Sequence, residues 1–367
     1  MACDLFSLAT KGVAGLQPYH PGKPIEELQR ELGLDEVIKL ASNENPLGPS
    51  QNVLDVIAAT KDLSRYPDGN GFILKKALSD KYKIDPDRIT LGNGSNDVLE
   101  MVTRAFVTSE HQVIYSQHSF AVYPIVTQAV GAGHVVIPAN DWGHDLPAML
   151  DAVTDKTRLM FIANPNNPTG TWVNSVGLRN LLEKVPEHVI VLVDEAYFEY
   201  ARIEDNYPDC SLWLDDFNKL IVTRTFSKAY GLAGLRIGYA FSHPDIADLL
   251  NRVRQPFNNN SLALVAAETA LQDGQYIERS VEVNQSGMKQ LMQAFDNMGL
   301  EFIPSKGNFI CVDFKQSADE IYQALLKAGV IVRPIANYSM PNYLRISVGL
   351  ESENRKFIDT LAGVLSR

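Results

Sequence analysis

From residue 88 to 240 the chain alternates short β-rich apolar runs with longer helical patterns, and this alternation restricts the fold more than any other feature. The runs are RITLG, VIYS, HVVIPA, LMFIANP, VIVLVDEAY and LIVTRTFSK, separated by stretches such as VLEMVTRAFV. Strands alternating with helices specify an α/β architecture, a mostly parallel sheet sandwiched by helices. Val189–Val193 is apolar at every position, as a strand buried on both faces requires.

After Arg254 the pattern changes. Helical segments at about 261–272 and 275–298 precede strand FICVDF, helix ADEIYQALLKAG, strands VIVRPI and YLRISVG, and a closing helix near 353–365. This predicts a smaller α+β domain. The first residues contain Pro18, Pro21 and Pro24. Proline and the residue before it disfavour helix, which predicts an extended arm lying on another surface, such as a neighbouring subunit. The expected organisation is an arm over 1–30, a large domain over 31–255 and a small domain over 256–367.

The length of 367 residues suits two domains, and 44 acidic against 33 basic residues give a net charge of −11. A chain whose main task is to grip nucleic acid or anionic lipid is basic, so those classes are excluded, while a local cationic pocket for a small anion remains open. Cys3, Cys210 and Cys311 have neither metal-ligand spacing nor the pairing of a disulfide scaffold. Reduced thiols in the cytoplasm and no metal are expected. Asp4 precedes the first lysine and no long apolar run follows, unlike a signal peptide. No segment approaches the ~18 consecutive apolar residues of a membrane span.

In open α/β sheets ligands sit beyond the carboxyl ends of the strands. The first run ends in Gly92-Asn93-Gly94-Ser95-Asn96-Asp97 and passes directly into a helix. Free backbone N–H groups and the positive end of the helix dipole make such a turn an anion cradle, although glycines also serve tight turns. It is neither a dinucleotide fingerprint nor a Walker loop. A later run ends in Asn164-Pro-Asn-Asn-Pro-Thr-Gly170, whose amides suit a planar ligand or an Asx-type turn. Another ends in Asp194-Glu195-Ala196-Tyr197, and a fourth in Thr225-Phe-Ser227-Lys228, with Arg236 eight residues on. An anion cradle, an amide clamp, an acid and a lysine at the strand ends of one sheet point to one site.

NPNNPTG, DEAY and TFSKAYGLAGLRIGY, in this order, resemble the signatures of the fold type I pyridoxal-phosphate aminotransferases over nearly the whole chain. LASNENPLG, RYPDG, GNGSND, RQPFNNNSLA, LRISVG and PYHPGKP are similar to the histidinol-phosphate branch of that family. The resemblance implies pyridoxal 5'-phosphate as cofactor and a homodimer with shared active sites. It makes Lys228 the amine that holds the cofactor and shuttles the proton, and Asp194 the partner of the pyridine nitrogen. Asn167 and Tyr197 would bond the ring's phenolic oxygen and Phe120 would stack on its face, unless Phe120 is simply core. Gly94, Ser95, Asn96, Thr225, Ser227 and Arg236 would hold the phosphate. Tyr66 would reach the phosphate of the neighbouring subunit, or merely flank the PDG turn. Arg345 matches the substrate-anion arginine, with an exposed strand charge as the alternative, and Arg333 a second phosphate contact. Tyr19, Asn43 and Glu44 would lie on the substrate side.

The implied reaction is a ping-pong exchange between glutamate/2-oxoglutarate and imidazole-acetol phosphate/histidinol phosphate. Aromatic aminotransferase and threonine-phosphate decarboxylase remain as alternatives, since these motifs serve cofactor and anion rather than the side chain. A cofactor-sensing regulator would carry an added basic helix-turn-helix, which is not seen. A pseudoenzyme would not retain Lys228, Asp194, Arg236 and Arg345 together.

Overall fold

The computed structural model describes residues 5–19 and 21–366; Cys3, His20 and the first residues of the expected arm lie outside the described residues. Among the described residues a seven-stranded sheet has the order β2-β8-β7-β6-β5-β3-β4. These strands are β2 (Ile89–Gly92), β3 (Gln112–Ser116), β4 (Gly133–Ile137), β5 (Thr157–Ala163), β6 (Ile190–Asp194), β7 (Leu220–Thr225) and β8 (Gly238–Phe241), with β1 (Ile38–Lys39) lying outside the sheet. β4, β3, β5, β6 and β7 run parallel, as the alternating pattern predicts, and β8 runs antiparallel to β7 and β2.

Side-chain alternation along each strand feeds two separate cores. Met160, Ile162, Val191, Val193, Leu220 and Val222 point to one face, and Leu159, Phe161, Leu192 and Ile221 to the other. The second face is covered by α5 (Ser95–Phe106), α6 (Val122–Ala129) and α10 (Pro244–Val253), which contribute Val98, Tyr123 and Leu250. The first face lies under α3 (Gln51–Ala59), α4 (Phe72–Tyr82), α7 (Leu146–Asp151), α8 (Ser175–Lys184) and α11 (Ser261–Gln272). α11 packs on α3 and α4 through Ala263, Ala266, Ala267 and Ala270, small residues that let helices approach closely.

α12 (Gly274–Met298) spans from the first of these cores to a third, where Leu291 and Phe295 meet Leu325 of α13 (Asp319–Lys327) and Phe357 of α14 (Glu351–Leu365). There an antiparallel sheet is ordered β12-β13-β10-β9, from β9 (Glu301–Ile303), β10 (Phe309–Asp313), β12 (Arg333–Pro334) and β13 (Tyr343–Ser347). β11 (Val330–Ile331) instead pairs in parallel with β1.

The expected extended arm differs from the structure in one respect. α1 (Lys11–Ala14) is a single turn, but Ile25–Leu32 forms a full helix, α2. Pro24 stands at its N-cap, where a missing N–H costs no hydrogen bond, Glu26 and Glu27 favour the positive helix end, and Gly33 closes it at φ 64°. The prolines thus set the boundary of a helix instead of preventing one. Leu28 packs against Ala41, Leu326 and Ile331, so the chain arrives at Asn43 already fastened to the C-terminal part of the molecule.

Candidate active site

Beyond the carboxyl ends of β5, β6 and β7 lies a pocket whose floor is Ala163, Asp194 and Thr225, the last residues of those strands. Ser95, Asn96, Phe120, Asn167, Tyr197, Ser227, Lys228 and Arg236 line it from the large-sheet side. Tyr19, Asn43, Arg333 and Arg345 line it from the arm and the small sheet. Residues separated by more than 300 positions therefore share one cavity, and nearly all sites expected from the sequence meet there.

Asp194 is 4 % exposed. Its Oδ1 accepts from the Thr223 hydroxyl and its Oδ2 from the Tyr123 hydroxyl, each at 3.0 Å. Burial raises its pKa, opposed by these two hydrogen bonds, by the Ala196 backbone N–H and by the charge of Lys228. Lys228 Nζ donates to the Ser42 carbonyl at 3.2 Å and stands 5.7 Å from the centre of the Tyr197 ring. Burial, then Arg345 and Arg236, lower its pKa to about 8 against the opposing charges of Glu44 and Asp194. A desolvated lysine near cations is an amine available in its neutral, nucleophilic form.

The anion cradle is built around one arginine. Gly94 has φ 82°, and a Cβ there would fall 2.4 Å from Nη2 of Arg236. A Cβ on Gly238 would fall 2.4 Å from the Ser95 backbone nitrogen, so both glycines are required for this approach of β8, α5 and Arg236. Arg236 donates to Ser227 Oγ at 3.4 Å, and the Ser227 N–H donates to Thr225 Oγ1 at 3.1 Å. The start of α5 adds free backbone N–H groups to these hydroxyls and the guanidinium. Such a donor set fits the phosphate of pyridoxal 5'-phosphate, and the Asp194 and Lys228 chemistry fits its ring and aldehyde.

On the opposite wall Arg345 donates to Asn167 Oδ1 at 2.6 Å and to the Ala41 carbonyl at 2.9 Å, while its buried Nε has no hydrogen-bond partner. A buried guanidinium with neutral partners and an unused N–H is suited to an incoming anion. The Arg333 guanidinium lies 5.5 Å from the Tyr19 ring centre. Asn43 donates from Nδ2 to the Tyr197 hydroxyl at 2.9 Å and is itself held by Ser347. Glu44 is exposed and pairs with Lys39 at 3.0 Å.

Tyr66 is not brought into this pocket within one chain. It is 81 % exposed and stacks on Phe257 at 4.6 Å. Sequence reasoning missed Ser42, Tyr338, Thr223 and Tyr123. Thr223 was findable, since it precedes Thr225 by two and shares its strand face. Tyr123 follows Phe120 by three in the turn that opens α6, the spacing that brings side chains together on a helix.

The family model for class I and II aminotransferases matches residues 35–361. Histidinol-phosphate aminotransferase 2 of Pseudomonas fluorescens strain Pf0-1 is 56 % identical over 370 residues, covering all of both chains. Histidinol-phosphate aminotransferase 1 of Nitrosococcus oceani is 56 % identical over 367 residues, covering 100 % of this chain and 99 % of its own. The solved histidinol-phosphate aminotransferase of Sinorhizobium meliloti in complex with pyridoxal 5'-phosphate superposes with a TM-score of 0.88 at 29 % identity, over 97 % of each chain. The fold type I expectation holds, and the chain belongs to the class I and II aminotransferase family.

Proposed function

We propose that this enzyme is a pyridoxal-phosphate-dependent histidinol-phosphate aminotransferase, moving an amino group between glutamate/2-oxoglutarate and imidazole-acetol phosphate/histidinol phosphate. The observation that carries this reading is a pocket in which a lysine with pKa about 8 and a buried aspartate share space with Arg236, Arg333 and Arg345. Three arginines provide for two anions, one on the cofactor and one on the substrate. The names of the full-length relatives support the choice of substrate.

Bound there, pyridoxal 5'-phosphate would supply a carbonyl for amine capture and an electron sink for the carbanion at Cα. Lys228 would hold the group until the substrate amine displaces it, and its freed Nζ would then shuttle the proton removed from Cα. Asp194 keeps a proton on the ring nitrogen. Asn167 and Tyr197 donate toward the phenolic oxygen, and Phe120 packs the ring face. Ser95, Asn96, Thr225, Ser227 and Arg236 bind the phosphate, with Gly94 giving them room. Arg345 and Arg333 bind the carboxylate of glutamate and, in the other half-reaction, the phosphate ester. Tyr19 and Asn43 bound the substrate side.

Two copies of the chain complete the site in this reading, with Tyr66 of the partner subunit closing over the cofactor phosphate. The exposure of Leu63, Tyr66, Phe72, Ile73 and Phe257 supports such a surface. The cytoplasm is the proposed compartment, supported by the buried free thiols of Cys210 and Cys311. No described helix is long and apolar enough to cross a membrane.

The test follows the cofactor absorbance in single half-reactions of the loaded enzyme with histidinol phosphate, phenylalanine, tyrosine, glutamate or threonine phosphate, with products identified. Fast reaction with histidinol phosphate and glutamate and slow reaction with phenylalanine are expected. The reverse ranking, or carbon dioxide from threonine phosphate, overturns the substrate and leaves the cofactor site standing.

A further inference from the structure

Tyr123 is a buried side chain that touches both the acid and the aromatic assigned above to the cofactor ring. Its hydroxyl donates to Asp194 Oδ2 at 3.0 Å. Its ring meets Phe120 edge-on, with centroids 5.9 Å apart at 89°, and is backed by Phe161, stacked at 4.4 Å and 2°. The side chain is fully buried on α6, and Thr127 of the next turn donates to its carbonyl at 2.7 Å. Backbone, ring and hydroxyl are thus all held.

We propose that Tyr123 is a positioning residue that keeps the Asp194 carboxylate ionised and aimed into the pocket, its phenol holding Oδ2 while its ring braces Phe120. This rests on the functional reading above, in which Asp194 faces a ring nitrogen. A carboxylate that accepts hydrogen bonds binds a proton less tightly than a bare one. With Thr223 on Oδ1 and Tyr123 on Oδ2, a proton shared between Asp194 and a pyridine-type nitrogen stays on the nitrogen. Without the phenol, the buried carboxylate draws that proton toward itself.

The groups facing Asp194 and Tyr123 leave this task to the two hydroxyls and the Ala196 backbone N–H. Lys228 approaches from the end of β7, Tyr197 from the segment after β6, and Tyr338 from the turn that follows β12. Burial raises the pKa of all three phenols, Tyr123, Tyr197 and Tyr338, so each stays protonated at neutral pH. Lys228 is the cation of the set, and in this function its amine is consumed in holding the cofactor.

The experiment compares Tyr123→Phe with wild type, since phenylalanine keeps the ring contacts with Phe120 and Phe161 and removes only the donor. Equilibrium affinities of the apoenzymes are measured for pyridoxal 5'-phosphate and for its analogue with carbon in place of the ring nitrogen. Tyr123→Phe is expected to weaken the natural cofactor about tenfold more than the analogue, the size of one hydrogen bond to a charged group. It should also lower kcat with KM little changed and displace the pH profile of the bound cofactor's absorbance. Equal losses for the two ligands, with an unmoved pH profile, overturn the proposal. Should Tyr123→Phe not fold, 3-fluorotyrosine placed at 123 fills the same space and donates more strongly. It should move the affinity ratio the opposite way, and an unchanged ratio overturns the proposal. Failure of wild type to bind pyridoxal 5'-phosphate at all would sink the functional reading and this inference together, whereas equal losses in a wild type that binds sink the inference alone.

Discussion

Asp194 and Glu195 are adjacent, both buried, and opposite in use. Alternation at the end of β6 sends Asp194 to the face with Leu192 and Tyr123, and Glu195 to the other face. There Glu195 Oε2 accepts from Arg224 Nε at 2.9 Å and Nη2 at 2.7 Å. The same guanidinium reaches Asp209 at 2.6 Å and lies 3.4 Å from the Phe198 ring centre. Burial raises the pKa of both acids, but the opposing influence differs. For Glu195 it is chiefly the built-in charge of Arg224, and for Asp194 it is two neutral hydroxyls before any charge. One carboxylate is neutralised within the fold. The other is oriented by neutral neighbours and faces the pocket, where a ligand can meet it.

The largest expected effects come from removing each charge separately. Asp194→Asn keeps the shape and should lower kcat by on the order of 10²–10⁴-fold, while the melting temperature stays nearly unchanged. Glu195→Gln leaves Arg224 poorly compensated and should cost about 3–5 kcal/mol of stability, the usual result of breaking a buried pair from one side. Its folded fraction should turn over at close to the wild-type rate. Denaturant titration beside steady-state kinetics reads both variants, and a Glu195→Gln enzyme that is stable but slow would break the distinction.

The arginines repeat the contrast on a smaller scale. Arg224 faces two carboxylates, whereas the partners of Arg345, Asn167 Oδ1 and the Ala41 carbonyl, carry no charge. Arg345→Lys retains the positive charge but loses the planar fork, and should raise KM for glutamate and for histidinol phosphate by about 10–100-fold with a smaller change in kcat. Arg224→Lys should instead appear as lost stability. A KM increase confined to one substrate would show that the carboxylate and the phosphate ester are bound by different groups.

Much of this was legible in the sequence because strand periodicity and strand-end chemistry are local. That β4, β3, β5, β6 and β7 run parallel follows from alternating apolar runs, and Asp194, Thr225 and Lys228 could be placed at one mouth because each ends or follows such a run. Strand β8 was less visible, since four residues of GYAF directly after a glycine-rich loop give no periodicity of their own. α2 was misread as extended because a proline that caps a helix looks the same in sequence as one that forbids it. Local spacing put Thr223 beside Thr225 and Tyr123 beside Phe120, but not their contact with Asp194, because hydrogen bonds spanning 71 and 29 positions are not written in local sequence.

The least dramatic expectation concerns Lys228 before any cofactor is bound, where burial and the nearby cations hold its pKa at about 8. The neutral amine is the nucleophile, so capture of pyridoxal 5'-phosphate by the apoenzyme should quicken about tenfold per pH unit below 8 and level off above it. An ordinary lysine would keep accelerating toward 10.5. Arg345 is the first of the charges that lower this pKa, so Arg345→Gln should move the midpoint upward and slow capture at neutral pH severalfold. The same shift has a thermodynamic sign. Between about pH 8 and 10.5 the folded apoenzyme binds fewer protons at Lys228 than the unfolded chain, so this lysine's destabilising contribution at pH 7 fades as pH rises through that window. Stopped-flow mixing from pH 6 to 10 checks the midpoint. A rate still climbing at pH 10 would mean that the pocket does not lower the pKa of its lysine, and the contrast between a ligand-ready face and a self-neutralised one would then rest on Asp194 alone.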